Sequence, residues 1–133
     1  MSAAPGPMTE QAVEVTASRW LTDFYSKVDE LDADHVAERF HPDAVMQFAT
    51  DAPHEGREAI RTGLSSFFTI LSSMKHTFHR VWQAGDTVLL EATVTYHMRD
   101  GRTLPIPVVT IIERRDGPIS SLRVFIDRAP MFA

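Results

Sequence analysis

The sequence has no cysteine, no apolar run of membrane-spanning length and no cluster of basic residues. Each absence excludes some chemistry. Without thiols there is no disulfide, no thiol nucleophile and no Cys-based zinc or iron–sulfur centre. The 13 Lys and Arg are scattered among 18 Asp and Glu, for a net charge of -5. That leaves neither an electrostatic stripe for nucleic acid nor a polybasic patch for a membrane surface. No Gly-rich phosphate loop and no Gly-x-Ser-x-Gly elbow occurs, which disfavours phosphate cofactors and an acyl-transfer serine. The first eight residues, rich in Ala, Pro and Gly, lack the basic start and apolar core of a signal peptide. The expectation is a cytoplasmic protein with a tail over residues 1–8 and a single domain over 9–133. Neither nucleic acid nor membrane is expected as a partner.

What is present is enough apolar material, 44% of 133 residues, to bury one core without a staple. Thr9 reads as an N-cap with Glu10 in the first turn, and Val13, Ala17, Trp20, Leu21, Phe24 and Val28 recur at helical spacing. Asp32 and Asp34 offer caps for a short second helix that His41-Pro42 stops. Ala44 to Ala49 suits a short strand, 51–56 a loop, and Arg57 to Leu71 a third helix. From His76 onward, Ala84-Gly85-Asp86, Asp100-Gly101 and Asp116-Gly117 separate four runs rich in β-branched and aromatic residues. The runs, 76–83, 88–98, 103–114 and 119–127, predict a four-stranded antiparallel meander. The order of elements predicts an α+β fold with three N-terminal helices on one face of a curved antiparallel sheet.

Strand parity then sorts the side chains. Val88, Leu90, Ala92, Val94, Tyr96 and Met98 share one face, which must meet the helices. On the last strand both faces carry apolar residues, so parity alone does not choose. His76 and His79, three apart on a strand, point to opposite sides of the sheet, so no metal site is expected. His35 and His41 read as caps or surface groups, and the acidic run 29–34 lacks the glycine and terminal Glu of a calcium loop. Asp127 ends a strand among Phe125, Ile126, Met131 and Phe132. An inward-facing carboxyl there would have its pKa raised toward acid/base range. The ordinary alternative is a strand-end carboxylate paired with Arg128, Arg80 or Arg123. Tyr96 is a hydrogen-bond donor on the inner face or simply a core residue.

The stretches DADHVAERFHPDAV, GREAIRTGLSSFF, HTFHRVWQAGDTVLLEATVTYHMRDGR and ISSLRVFIDRAPMF resemble SnoaL-like proteins of the nuclear transport factor 2-like superfamily. The resemblance spans about residues 12–132 and implies a cystatin-like cone of helices against a curved sheet enclosing a pocket. It does not fix an activity. Where ketosteroid isomerases place a tyrosine and a base aspartate, this chain has Phe24 and Phe48. Where limonene-type epoxide hydrolases place an Arg-x-Asp pair, it has Ala92 and Val94, with Met46 and Phe48 at their water-holding positions. Asp127 matches the acid/base aspartate of polyketide cyclases related to SnoaL.

Two functions follow as expectations. The first is a cofactor-independent cyclase- or isomerase-like enzyme acting on a small hydrophobic molecule, polycyclic and polyketide-like compounds included. Asp127 would move the proton, Tyr96 or His76 would donate to the developing oxyanion, and Trp20, Phe24, Met46, Phe48, Val94 and Phe125 would line the pocket. The second is a non-catalytic ligand-binding or dimerising domain with a degenerate site. The resemblance also implies a homodimer through the outer sheet face, with Leu122, Val124 and Ile126, or Val109 and Ile111, in contact.

Overall fold

The computed structural model describes the backbone of Thr9–Gln11 and residues 18–133. The expected tail over 1–8, and Val13 and Ala17 of the expected first helix, lie outside the described residues. Among the described residues the helices are α1 (Arg19–Asp29), α2 (Ala33–Glu38) and α3 (Arg57–Phe68). The strands are β1 (Thr9–Gln11), β2 (Phe40–Phe48), β3 (His54–Glu55), β4 (Leu71–Ala84), β5 (Thr87–Met98), β6 (Thr103–Arg114) and β7 (Ile119–Ile126), followed by a 3₁₀ turn, Ala129–Phe132. Thr9 therefore does not cap the first helix. Thr9–Gln11 pairs antiparallel with Val81–Gln83, and the described helix α1 has Ser18 at its N-cap.

The architecture is α+β, with one seven-stranded sheet in the order β1-β4-β5-β6-β7-β2-β3. The meander from β4 to β7 is antiparallel throughout. The sheet as a whole is mixed, because β2 lies parallel to β7, Val45 beside Ser121 and Phe48 beside Val124. β4 starts at Leu71 rather than His76, running through the polar stretch Ser72, Ser73 and Lys75. These side chains lie on the solvent face, where polarity costs nothing.

On β5 every second residue from Val88 to Met98 is buried, so the inner face follows the predicted parity. β4 reaches the same alignment only through shifts between Leu71 and Ser73 and between Phe78 and Arg80. α1 packs on β4 and α3 on β2, while α2 bridges the two helices. Between the helices and the sheet lies one core containing Phe24, Phe40, Ile60, Leu90 and Ile112. Each such side chain contributes roughly 1.5–3 kcal/mol by leaving water. Among the described residues, no helix is long and apolar enough to cross a membrane.

Candidate functional site

The core is incompletely filled. A cavity of about 80 Å³ lies between α1, α3 and the inner sheet face. That is about half the roughly 150 Å³ that admits a benzene ring in a dry apolar void. Phe24, Met46, Phe48, Phe67 and Val94 contribute apolar wall, and the polar side chains are Tyr25, His76, Tyr96 and Thr110. Phe48, Leu64 and Phe67 are only partly buried. An occupant the size of a ring would have to displace these rim side chains.

His76 is held by the end of α1. The inward parity of β4 turns its ring toward the helices, where Asp29, the last residue of α1, meets it. Asp29 Oδ1 stands 2.7 Å from Nδ1, and Oδ2 accepts the His76 backbone N–H at 3.0 Å. Both groups are withdrawn from solvent, the side chains being 9% and 25% exposed. An ionised Asp29 takes the Nδ1 proton as its hydrogen bond, which leaves the Nε2 lone pair free. Nε2 has no hydrogen-bond partner among the described residues.

One helical turn before Asp29, Tyr25 packs at a tilt against the His76 ring with centroids 4.5 Å apart. Its hydroxyl meets Thr110, the buried polar residue on the facing strand β6. Tyr96 completes the wall from β5, where it lies opposite Met74 while Val94 lies opposite His76. Burial pushes both phenols well above their ordinary pKa, and the nearby Asp29 charge adds to the shift. Each is therefore a neutral hydrogen-bonding group at any physiological pH.

The structure brings together six of the nine side chains singled out from the sequence: His76, Tyr96, Phe24, Met46, Phe48 and Val94 all line the cavity. It places the other three elsewhere. On β7, Leu122 and Val124 line the cavity and Ile126 packs on the core, so Phe125 and Asp127 face the opposite way. Phe125 is 52% exposed on the outer face. Asp127 is exposed, and its Oδ1 accepts the Ala129 N–H at 3.0 Å, capping the C-terminal turn. It is not the desolvated acid expected of it, and Arg128 and Arg123, two of its expected partners, bind elsewhere. Arg128 grips Asp51 through two 2.8 Å bonds, and Arg123 reaches Glu113. Trp20 sits a turn beyond the cavity, with the Arg114 guanidinium 4.0 Å above its ring.

Asp29, Tyr25 and Thr110 are the members that sequence reasoning missed. The spacing of Tyr25 and Asp29, four apart on one helix face, was the available signal. His79, as its odd spacing from His76 requires, is on the outer face and meets the Thr93 hydroxyl at 2.7 Å.

The comparisons with known proteins agree with this fold. A model of the SnoaL-like domain matches residues 21–122. Solved structures include a hypothetical protein with a ketosteroid isomerase-like fold from Catenulispora acidiphila, in complex with trimethylamine. It is 20% identical over 83% of this chain and 86% of its own, with a TM-score of 0.76. An LEH-like epoxide hydrolase from M. tuberculosis is 23% identical over 86% of this chain and 84% of its own, TM-score 0.72. The epoxide hydrolase/cyclase-like enzyme SalBIII, of pyran ring formation in the polyether salinomycin, is 22% identical over 82% and 88%, TM-score 0.70. A comparison with curated protein sequences gives no match. At these identities the structures speak for the fold, while the family model covers most of the chain: the protein belongs to the SnoaL-like domain family.

Proposed function

We propose that this domain binds a small, neutral, largely apolar carbonyl compound in the cavity and moves a proton on the carbon beside the carbonyl. His76 is the base and Asp29 its positioning residue. The observation that carries the reading is the 2.7 Å contact between Asp29 and His76 Nδ1 at the edge of an otherwise apolar chamber. It fixes the tautomer, leaves Nε2 to accept a proton, and balances the imidazolium that results. Tyr96, kept neutral by burial, donates to the oxygen on which charge develops. The acid/base role expected of Asp127 thus passes to His76. The relatives' cyclase and epoxide hydrolase names fit a scaffold that handles such compounds, without assigning this chain's substrate.

The homodimer is part of the proposal. Leu122, Val124 and Ile126 face inward and take no part, but Val109, Ile111 and Phe125 share the outer face and supply its apolar contact.

The test is deuterium exchange at the α-carbons of cyclopentanone in D₂O, followed by proton NMR. The parent chain should accelerate exchange above buffer, and His76→Asn should lose roughly a hundredfold or more of that acceleration. Full acceleration in His76→Asn would remove the mechanism. Saturable binding of cyclopentanone with no exchange in the parent would leave a binding domain.

A further inference from the structure

A second concavity, of about 190 Å³, shares no lining residue with the first. It lies where the start of α1 meets the end of α2 and the β6–β7 turn, and Trp20, Arg39 and Arg114 border it. Two N–H donors there, Trp20 Nε1 and Arg114 Nε, are shut off from solvent and meet no acceptor among the described residues. Buried donors are seldom left unpaired, because each forfeits the bonds it made to water.

The geometry of Arg114 defines what is missing. Its flat face is used by the Trp20 ring at 4.0 Å, and Nη1 makes one long bond, 3.5 Å, to the Gly117 carbonyl. Among the described residues, the edge formed by Nε and Nη2 meets no acceptor. That edge grips a carboxylate through two parallel hydrogen bonds. Arg39 adds a second positive charge and makes no side-chain ion pair or hydrogen bond among the described residues. Glu38, exposed at the rim, pairs with neither arginine. Pro118, Ile119 and the indole form apolar flanks, which suit an organic acid better than a strongly hydrated inorganic ion.

We propose that this concavity is a binding site for a small organic carboxylate. The carboxylate takes the Nε and Nη2 edge of Arg114, with Trp20 Nε1 as a third donor and Arg39 as a second cation. Since both donors are closed off from water, binding shifts the Arg114 side chain against the indole beneath it.

The chain has two tryptophans, so its ¹H–¹⁵N spectrum carries two indole signals, with Trp82 as internal control and Trp20 identified by Trp20→Phe. Titration with propionate should move the Trp20 signal saturably and leave Trp82 in place. Propionamide should have no effect, and inorganic phosphate should bind more weakly. Arg114→Gln should weaken propionate by about tenfold or more. Glu38→Gln, by removing a negative charge at the rim, should tighten it. If Arg114→Gln does not fold, Arg114→Lys, which keeps the charge without the fork, carries the same expected loss. A Trp20 signal that propionate does not move, an equal response to propionamide, tighter binding of phosphate, or undiminished affinity in the Arg114 variant that folds would each overturn the assignment.

Discussion

Asp29 engages His76 twice, one carboxylate oxygen at the ring nitrogen and the other at the backbone N–H of the same residue. The pair ties the last residue of α1 to β4 across 47 positions of sequence. The backbone bond sets the strand against the helix, and the ring bond sets the imidazole. One side chain therefore serves packing and chemistry together.

Removing that carboxylate should register in stability as well as activity. Asp29→Ala leaves the His76 backbone N–H and Nδ1 without their acceptor in a poorly solvated place. Hydrogen bonds to a charged group of this kind contribute about 2 kcal/mol. Denaturant unfolding should show a loss of that order, with Asp29→Asn, which retains one acceptor oxygen, falling between parent and Ala. No measurable loss in Asp29→Ala would mean that the contact contributes nothing to the fold.

The two tyrosines of the chain, Tyr25 and Tyr96, are both in the cavity wall. Burial raises the pKa of each above its ordinary 10.0. For an acid raised in the folded state, the native form binds more protons than the unfolded one once pH passes the unfolded value. Their contribution to stability is complete below about pH 10 and is lost as pH rises beyond it toward the folded values. Absorbance at 295 nm should therefore show no tyrosinate in the folded protein near pH 10, and ionisation should coincide with alkaline unfolding. A reversible titration of either tyrosine near pH 10, with the fold intact, would contradict its burial.

The outer sheet face gives a third expectation. Phe125 is exposed beside Val109 on β6, its direct partner in the strand pairing. Light scattering should find a dimer at micromolar concentration, and Phe125→Lys should shift it to monomer by placing a charge in an apolar contact. A monomeric parent chain would remove the dimer from the account.

The parts of this fold that were legible in the sequence are those with unbroken periods. β5 alternates without interruption from Val88 to Met98, so its inner face could be named residue by residue. β7 has apolar residues on both faces, and there the choice failed. The phenylalanine and aspartate at 125 and 127 looked as suited to the interior as Leu122 and Val124, until pairing with β6 and β2 decided. Trp20 shares the helical stripe of Phe24, but one turn of rise carries it past the cavity into the arginine-lined concavity. The parallel pairing of β2 with β7 has no local signal, since no turn joins the two strands. Asp29 was hidden in an acidic run that reads as solvated surface. Only its meeting with a histidine from a distant strand distinguishes it from its neighbours.

The measurement that tests the central claim most directly sets Asp29→Asn beside Asp127→Asn in the cyclopentanone exchange assay. With His76 as base and Asp29 holding its tautomer, Asp29→Asn should lose most of the acceleration, because the imidazole loses its charged partner. Asp127→Asn, altered only at an exposed cap, should exchange at the parent rate. Loss of exchange in Asp127→Asn with full rate in Asp29→Asn would contradict the account and return the chemistry to the end of β7.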